Sequence, residues 1–571
     1  MRRVRNIVLV LMVLLLVAVL VQQARGPSVE PGSALVVRLE GSYVEAASPG
    51  LLSQLAGFLV PPQPSFTALL SELAKAERDP RLSSVVLRVR GLGIGWGKAQ
   101  EVRAAIARLR AAGKRTVAYL EVQTYGANLE YYVASACDEI VLAPGVPAPL
   151  SGLRAEYLFL GGLWEGLGVE LDVLGAGEYK GAVETLGARG MSAPHREMAD
   201  SLLDSLAAQF TSGVAEARGL EPSAVRAAID ASPMPPAAAV ERKLVDRIAH
   251  WDEVFASLGD PPRVESGAYA RVPAKSVGFA PVARFALVYG AGNVVQGEAR
   301  GATPVFASDP VAKALEDAAE NDAVKAIVLR LDSPGGSGAA AEQVWRAVRR
   351  AREHKPVIAS MSDLAASAAY YVAAGADRVL AQPGTYTGSI GVFVVRPSFG
   401  GLLDKLEVGH ETLLRGRHAD LLALMQPLSP ATRAQFRAEV EGSYVQFVER
   451  VAEGRALSTR EVDEVARGRV WTGEQASTRG LVDELGGLRD AVLAAKEAVG
   501  LAADADVELV VFPAPRPLAE QLAGAMSGTA WAAAAPRGLP IPPALVTAAA
   551  WLADLPAGAL AWLPPIAIEI R

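Results

Sequence analysis

Residues 370–384 read YYVAAGADRVLAQPG and residues 131–145 read YYVASACDEIVLAPG, so seven of fifteen positions agree at an offset of 239. Unrelated stretches of that length would agree at about one position by chance, so the chain carries an internal repeat. The likeness extends upstream, where VVLRVRGLGIGWGKAQEVRAAIARLRAAGK (85–114) shadows IVLRLDSPGGSGAAAEQVWRAVRRAREHK (327–355). It also extends downstream, where KLVDRIAHWDEV (243–254) shadows GLVDELGGLRDAV (480–492), so each copy spans more than 200 residues. Within a copy, short β-branched runs alternate with longer amphipathic ones: Ala326 to Leu331, then Gly338 to His354, then Val357 to Met361. That alternation predicts an α/β fold of two tandem βαβ domains, each with a mostly parallel sheet under helices. Ligands are then expected beyond the carboxyl ends of the strands, where the glycine loop at 333–338 falls.

The repeat divides the chain into a first domain at 30–256 and a second at 282–512. Between them, 257–281 (SLGDPPRVESGAYARVPAKSVGFAP) has the Pro, Gly and Ser content and weak periodicity of a linker. Residues 513–571 form a tail rich in Ala, Pro and Trp. Its Trp531, Trp551 and Trp562 suit either a lipid interface or docking against a neighbouring subunit, and both readings stand.

At the amino end, Arg2, Arg3 and Arg5 precede an unbroken apolar run of 15 residues, Ile7 to Val21. As a helix this run rises about 23 Å, short for a span unless the flanking polar residues reach the interface. The exit Val21-Gln22-Gln23-Ala24-Arg25 lacks the small residues of an A-x-A cleavage site. An uncleaved membrane anchor over residues 1–25 is expected, with the basic flank in the cytoplasm and the rest of the chain across the membrane.

Composition removes several classes of function. With 571 residues, 51% of them hydrophobic and 21% charged, the chain is too apolar to be disordered. Its 56 basic and 62 acidic residues leave a net charge of -6, which gives no general attraction for nucleic acid. The single cysteine, Cys137, excludes an intrachain disulfide and a cysteine zinc cage, and the five histidines show no ligand spacing. No metal and no cofactor are expected. Gly91-Leu92-Gly93-Ile94-Gly95-Trp96-Gly97-Lys98 suggests a phosphate loop, but Lys98 is followed by Ala99 and the Walker spacing fails, so no nucleotide is expected either. The repeat instead makes this stretch a degenerate partner of 332–338. Cys137 aligns with Ala376 and reads as a small core residue.

Four motifs remain: Asp332-Ser333-Pro334-Gly335-Gly336-Ser337, Ala365-Ala366-Ser367-Ala368-Ala369-Tyr370-Tyr371, Thr387-Gly388-Ser389-Ile390-Gly391-Val392, and Gly177-Glu178-Tyr179-Lys180. In these residues and their order the chain resembles the signal peptide peptidase A (protease IV) family of membrane-bound serine peptidases, family S49, in its two-repeat form. The resemblance covers roughly residues 30–510. It implies domains of the Clp protease and crotonase fold, a Ser-Lys dyad, a homotetramer, ATP independence and a site on the outer side of a bacterial cytoplasmic membrane. Matching residue by residue puts the nucleophile at Ser367, the general base at Lys180 and a lysine-positioning hydroxyl at Ser389. The oxyanion hole falls to Gly335 or Gly336 together with the Ala368 amide. Remnant signal peptides and other exposed peptides are the implied substrates.

A serine hydroxyl needs a base within hydrogen-bond reach, and no histidine lies in the four motifs. A solvated lysine is neutral only about once in a few thousand molecules at pH 7, and bringing its pKa to 7–8 takes about 4 kcal/mol. Lys180 is therefore expected to be enclosed without a carboxylate partner. At the repeat offset Ser367 faces Asn128 and Lys180 faces Ala419, so each copy keeps half of one site. The family's Ser-Gly-Gly is Ser367-Ala368-Ala369 here, which leaves room for a non-catalytic scaffold of the same fold; a crotonase-like acyl-CoA enzyme is a further alternative. Outside their motifs Ser367 reads as a helix cap, Lys180 as a solvated charge and Ser389 as a turn residue.

Overall fold

The structure is a computed structural model, and it describes residues 28–45, 64–122, 125–298 and 305–513. The expected anchor at 1–25 and the tail from 514 onward lie outside the described residues. Among the described residues no helix is long and apolar enough to cross a membrane.

The first copy supplies β1 (Ser33–Ser42), β2 (Leu82–Gly93), β3 (Arg115–Leu120), β4 (Glu139–Leu142), β5 (Glu170–Ala176), β6 (Arg247–Ile248) and β7 (Arg263–Glu265). Six of these form one all-parallel sheet in the order β6-β4-β3-β2-β1-β7. The second copy supplies β8 (Ala283–Ala291), β9 (Val294–Val295), β10 (Phe306–Ala307), β11 (Val324–Ser333), β12 (Val357–Ala366), β13 (Arg378–Ala381), β14 (Tyr386–Gly388), β15 (Val392–Ser398), β16 (Val470–Thr472), β17 (Glu484–Leu485) and β18 (Val507–Phe512). Its main sheet runs β16-β14-β12-β11-β8-β18, with β13 beside β12 and β17 beside β13. Only the β14–β16 pairing in that sheet is antiparallel. The expected α/β architecture of mostly parallel sheets under helices is what the chain forms.

The central strands are near-continuous apolar runs because both their faces are covered: β11 buries every residue but Lys325 and the half-buried Asp332. The residues that reveal the repeat in the sequence do the same structural work in each copy. Tyr131 and Tyr370 are fully buried, and their hydroxyls donate to the carbonyls of Leu244 (2.8 Å) and Leu481 (2.9 Å). Asp138 and Asp377 accept from amides in the first two residues of the neighbouring strands, Thr116 (2.9 Å) and Val357 (2.8 Å). A buried hydroxyl without an acceptor is costly, which explains why the tyrosine comes with the downstream Leu-Val-Asp segment.

The stretch 257–281, expected as a linker, is partly built into the first domain. Arg263–Glu265 is the edge strand β7 against β1, and Tyr269 is fully buried with its hydroxyl on Asp79 at 3.1 Å. A three-residue edge strand needs no periodicity of its own, since β1 supplies its hydrogen-bond partners. The two copies are joined by an antiparallel ladder of β5 with β15, from Ala176 opposite Val392 to Glu170 opposite Ser398. A second tie is fully buried: Arg330 Nε donates to Glu45 at 2.9 Å and its Nη2 to Glu101 at 2.5 Å. Removing one member of such a group leaves an unpaired charge in the interior, at a cost of about 3–5 kcal/mol.

Candidate active site

Strand β12 runs straight into Ser367, and the helix Ala368–Ala373 begins immediately after it. Ser367 has φ +54 and ψ -121, and its side chain caps nothing, so it does not act as the helix cap that its position alone suggests. Ala368, by contrast, is the first helical residue, and no residue of the Ala368–Ala373 helix has positive φ. An alanine is therefore unstrained where the family has glycine, which removes the reason for reading this site as a scaffold.

Lys180 arrives from the other copy. Its turn follows β5 and is pinned from a distance, since the Tyr179 amide donates to the Arg467 carbonyl at 2.9 Å. Lys180 is 6% exposed, and its Nζ lies 3.1 Å from Ser367 Oγ, 2.8 Å from Ser389 Oγ and 2.7 Å from the Ser389 carbonyl oxygen. Among the described residues no carboxylate reaches it, and burial alone pulls the amine down to about 7. Ser389 is itself held at φ +52, with its amide donating to the Arg469 carbonyl at 2.7 Å.

The glycine turn closes the third side. Gly335 has φ +108, and a Cβ there would stand 2.7 Å from Ser367 Cβ and 3.0 Å from the Ala368 nitrogen. Its amide donates to Ser333 Oγ at 3.2 Å. Among the described residues the amides of Gly336 and Ala368 have no acceptor. The structure thus brings Ser367, Lys180, Ser389, Gly335 and Ala368 together, with Gly336 next in the turn. Ser367, Ser389 and Arg467 are three of the seven non-glycine residues with positive φ among the described residues, a concentration of strain around one cleft.

Several residues here were not singled out in the sequence. Gly468 (φ +81) packs so closely on Lys180 that a Cβ would come within 2.7 Å of its backbone nitrogen. Tyr157, Met198, Pro334 and Val470 line the cleft beside the lysine. His195 lines it too, but its Nδ1 lies 3.0 Å from Glu184 and no hydrogen bond joins it to Ser367. The arginine–glycine pair at 467–468 carries no signal in the sequence, because its partner lies almost 300 residues earlier. Cys137 is buried and its thiol is pushed up to about 12, as suits a core residue.

The corresponding place in the first copy is filled. Asn128, the counterpart of Ser367, donates to the Gly152 carbonyl at 2.9 Å and accepts from the Ser151 amide at 3.1 Å. Glu130 takes the Leu92 amide at 2.7 Å. The long helices Ala193–Arg218 and Pro430–Arg455 correspond at an offset of 237, two less than the upstream elements. At 239 the partner of Lys180 is Ala419 and at 237 it is the exposed Arg417, so neither register gives the second copy a buried lysine.

Compared with known proteins, the chain matches peptidase family S49 over residues 108–264 and 349–502, one stretch in each copy. It is 33% identical to the chloroplastic serine protease SPPA of Arabidopsis thaliana, over 85% of this chain and 72% of that protein. It is 29% identical to Protease 4 of Haemophilus influenzae, over 88% of this chain and 86% of that protein. Protease 4 of Salmonella typhi is 30% identical over 75% of this chain and 71% of its own length. With two parallel α/β domains, a family match in each and this likeness along most of its length, the chain belongs to peptidase family S49 and is a serine-type peptidase.

Proposed function

We propose that the chain is a membrane-anchored, ATP-independent endopeptidase in which Ser367 is the nucleophile and Lys180 the general base. The observation that carries this reading is the buried amine 3.1 Å from the Ser367 hydroxyl, with no carboxylate beside it among the described residues. Deprotonated, that amine has two N–H donors for the carbonyl and hydroxyl oxygens of Ser389, which leaves its lone pair for the Ser367 proton. Ser367 Oγ attacks the scissile carbonyl carbon as its proton passes to Lys180. The Ala368 amide and an amide of the Gly335–Gly336 turn stabilise the oxyanion. The carbon–nitrogen bond then breaks, Lys180 protonates the leaving amine, and water, deprotonated by the same lysine, releases the acyl group.

Remnant signal peptides and other exposed peptides on the outer side of the cytoplasmic membrane are the proposed substrates, and a homotetramer the proposed assembly. Support for the location comes from the basic-then-apolar run at residues 2–21 and from the family. The test is hydrolysis of a peptide p-nitroanilide by the purified chain, with a fluorophosphonate probe to label the nucleophile. Ser367→Ala and Lys180→Met are expected to lose at least about 10³-fold in kcat/KM, and the mapped adduct should sit on Ser367. Retained hydrolysis in either variant sinks the dyad.

A further inference from the structure

Lys98 closes the glycine-rich stretch 91–98 of the first copy, which the proposed chemistry leaves without a role. Its ammonium is enclosed, with Asp332 Oδ2 at 2.5 Å, Asp363 Oδ2 at 2.9 Å and Glu45 Oε1 at 3.1 Å. The glycines allow this approach. A Cβ on Gly95 would stand 2.6 Å from Asp363 Cγ, and one on Gly97 would stand 2.5 Å from the Ser362 carbonyl oxygen. The helix Trp96–Ala111 has no side-chain cap from its own N-cap residue; instead the Gly95 and Lys98 amides donate to the two oxygens of Asp363, at 2.8 and 2.7 Å. A helix of one copy is thus capped by a strand residue of the other.

The position of the two aspartates gives this contact its meaning. Strands β11 and β12 pair in step as far as Leu331 opposite Met361 and resume at Ser333 opposite Ala365. Ser362, Asp363 and Leu364 therefore bulge opposite the single residue Asp332. From this point β11 leads to the Gly335–Gly336 turn, and β12 leads into Ser367. Two carboxylates facing each other across an interrupted ladder repel, and without a bridging cation that repulsion would push apart the strand ends that carry the turn and the nucleophile. Glu45 adds a third negative charge, although Arg330 and Ser362 also hold it.

We propose that Lys98 is a positioning residue for the peptidase reaction: bridging Asp332 and Asp363, it holds the bulge closed and sets the glycine turn against Ser367. The proposal rests on Ser367 being the nucleophile. The first copy would then contribute twice to a site in the second, with a neutral amine at the reacting hydroxyl and a charged one behind the oxyanion turn.

The experiment compares wild type, Lys98→Met, Lys98→Met/Asp332→Asn and Ser367→Ala in the full chain. It measures kcat, KM and the affinity of a peptide boronate, whose tetrahedral adduct occupies the oxyanion site. Lys98→Met should lower kcat about 10- to 100-fold with KM within about twofold, and boronate affinity should fall in parallel with kcat/KM. In the double variant the carboxamide introduced at position 332 can donate to Asp363, so kcat should return to within about tenfold of wild type. Should Lys98→Met not fold, the charge-balanced double variant carries the test by itself, and a loss beyond about 100-fold there overturns the proposal. Wild-type kcat in Lys98→Met, a loss confined to KM, or no recovery in the double variant also overturns it. Hydrolysis that survives Ser367→Ala sinks the dyad, whereas hydrolysis lost in Ser367→Ala and intact in Lys98→Met sinks only the clamp.

Discussion

Lys180 Nζ stands 3.1 Å from Ser367 Oγ across 187 residues of chain. Neither residue is near the other in sequence, and at the repeat-equivalent position of the other copy Ser367 is replaced by Asn128 and Lys180 by Ala419 or Arg417. The contact exists because β5 of the first copy and β15 of the second pair in a two-stranded ladder of their own, and its consequences for pH, stability and mutation can be measured.

A general base works without its proton. With the amine held down to about 7 by burial, kcat/KM should rise about tenfold per pH unit below that value and level off above it. A pH–rate profile between 5 and 9 checks this, and a profile flat across that range would mean that Lys180 is not the titrating group.

The same depressed value has a sign for stability. Unfolded lysine titrates near 10.4, so between about 7 and that pH the unfolded chain holds a proton that the folded chain has released. Stability of the wild type should therefore rise through this window and be unaffected by this group below it. The effect of this one residue is on the order of 4 kcal/mol. Lys180→Met lacks it, so the variant's stability relative to wild type should be greatest at pH 7 and smallest near pH 10. Denaturant titrations at both pH values would reveal identical pH dependence if the amine were charged in the fold.

Ser389→Ala removes one of the amine's two oxygen partners in that residue but leaves the carbonyl at 2.7 Å. A fall in kcat of about tenfold with unchanged KM is expected from steady-state kinetics. A loss as deep as that of Lys180→Met would require Ser389 to do more than orient the lysine.

Two glycines with left-handed backbone separate strain from function. Gly468→Ala forces a methyl group into the Lys180 backbone and should cost about 10²-fold or more in kcat/KM. Gly500→Ala, at φ +70 in open space, should cost only about 1 kcal/mol of stability and no activity. Circular dichroism melts beside the kinetics distinguish the two.

Restoring the family's glycine should not help. Ala368 is buried and helical, so Ala368→Gly is expected to lower stability by about 1 kcal/mol without raising kcat. A marked gain in turnover would mean that the alanine methyl obstructs the oxyanion site.

What could be read from the sequence was local or repeated. The paired tyrosines, the aspartates at 138 and 377 and the four motifs are short segments whose partners recur at a fixed offset. The alternation of β-branched and amphipathic runs gave the parallel sheets for the same reason. The rest depends on encounters between distant segments. Gly468 matters only because Lys180 packs against it, and Asp363 only because Gly95 and Lys98 bring their amides to it. The glycines at 95 and 97 were visible and the failed Walker spacing set a phosphate loop aside, but what the glycines are for needed the strand they approach. Strand β7 was missed because three residues are too few to show a period.

The β5–β15 ladder begins at Ala176 opposite Val392, four residues from Lys180 and three from Ser389. A slip of one residue in that pairing would shift the strand by about 3.4 Å and turn its side chains to the wrong face. A chain still emerging from synthesis, or one whose halves have docked out of step, would then have no working hydrolytic centre. If Lys180 and Ser367 are the dyad proposed above, in-register pairing of the two halves is what assembles that centre.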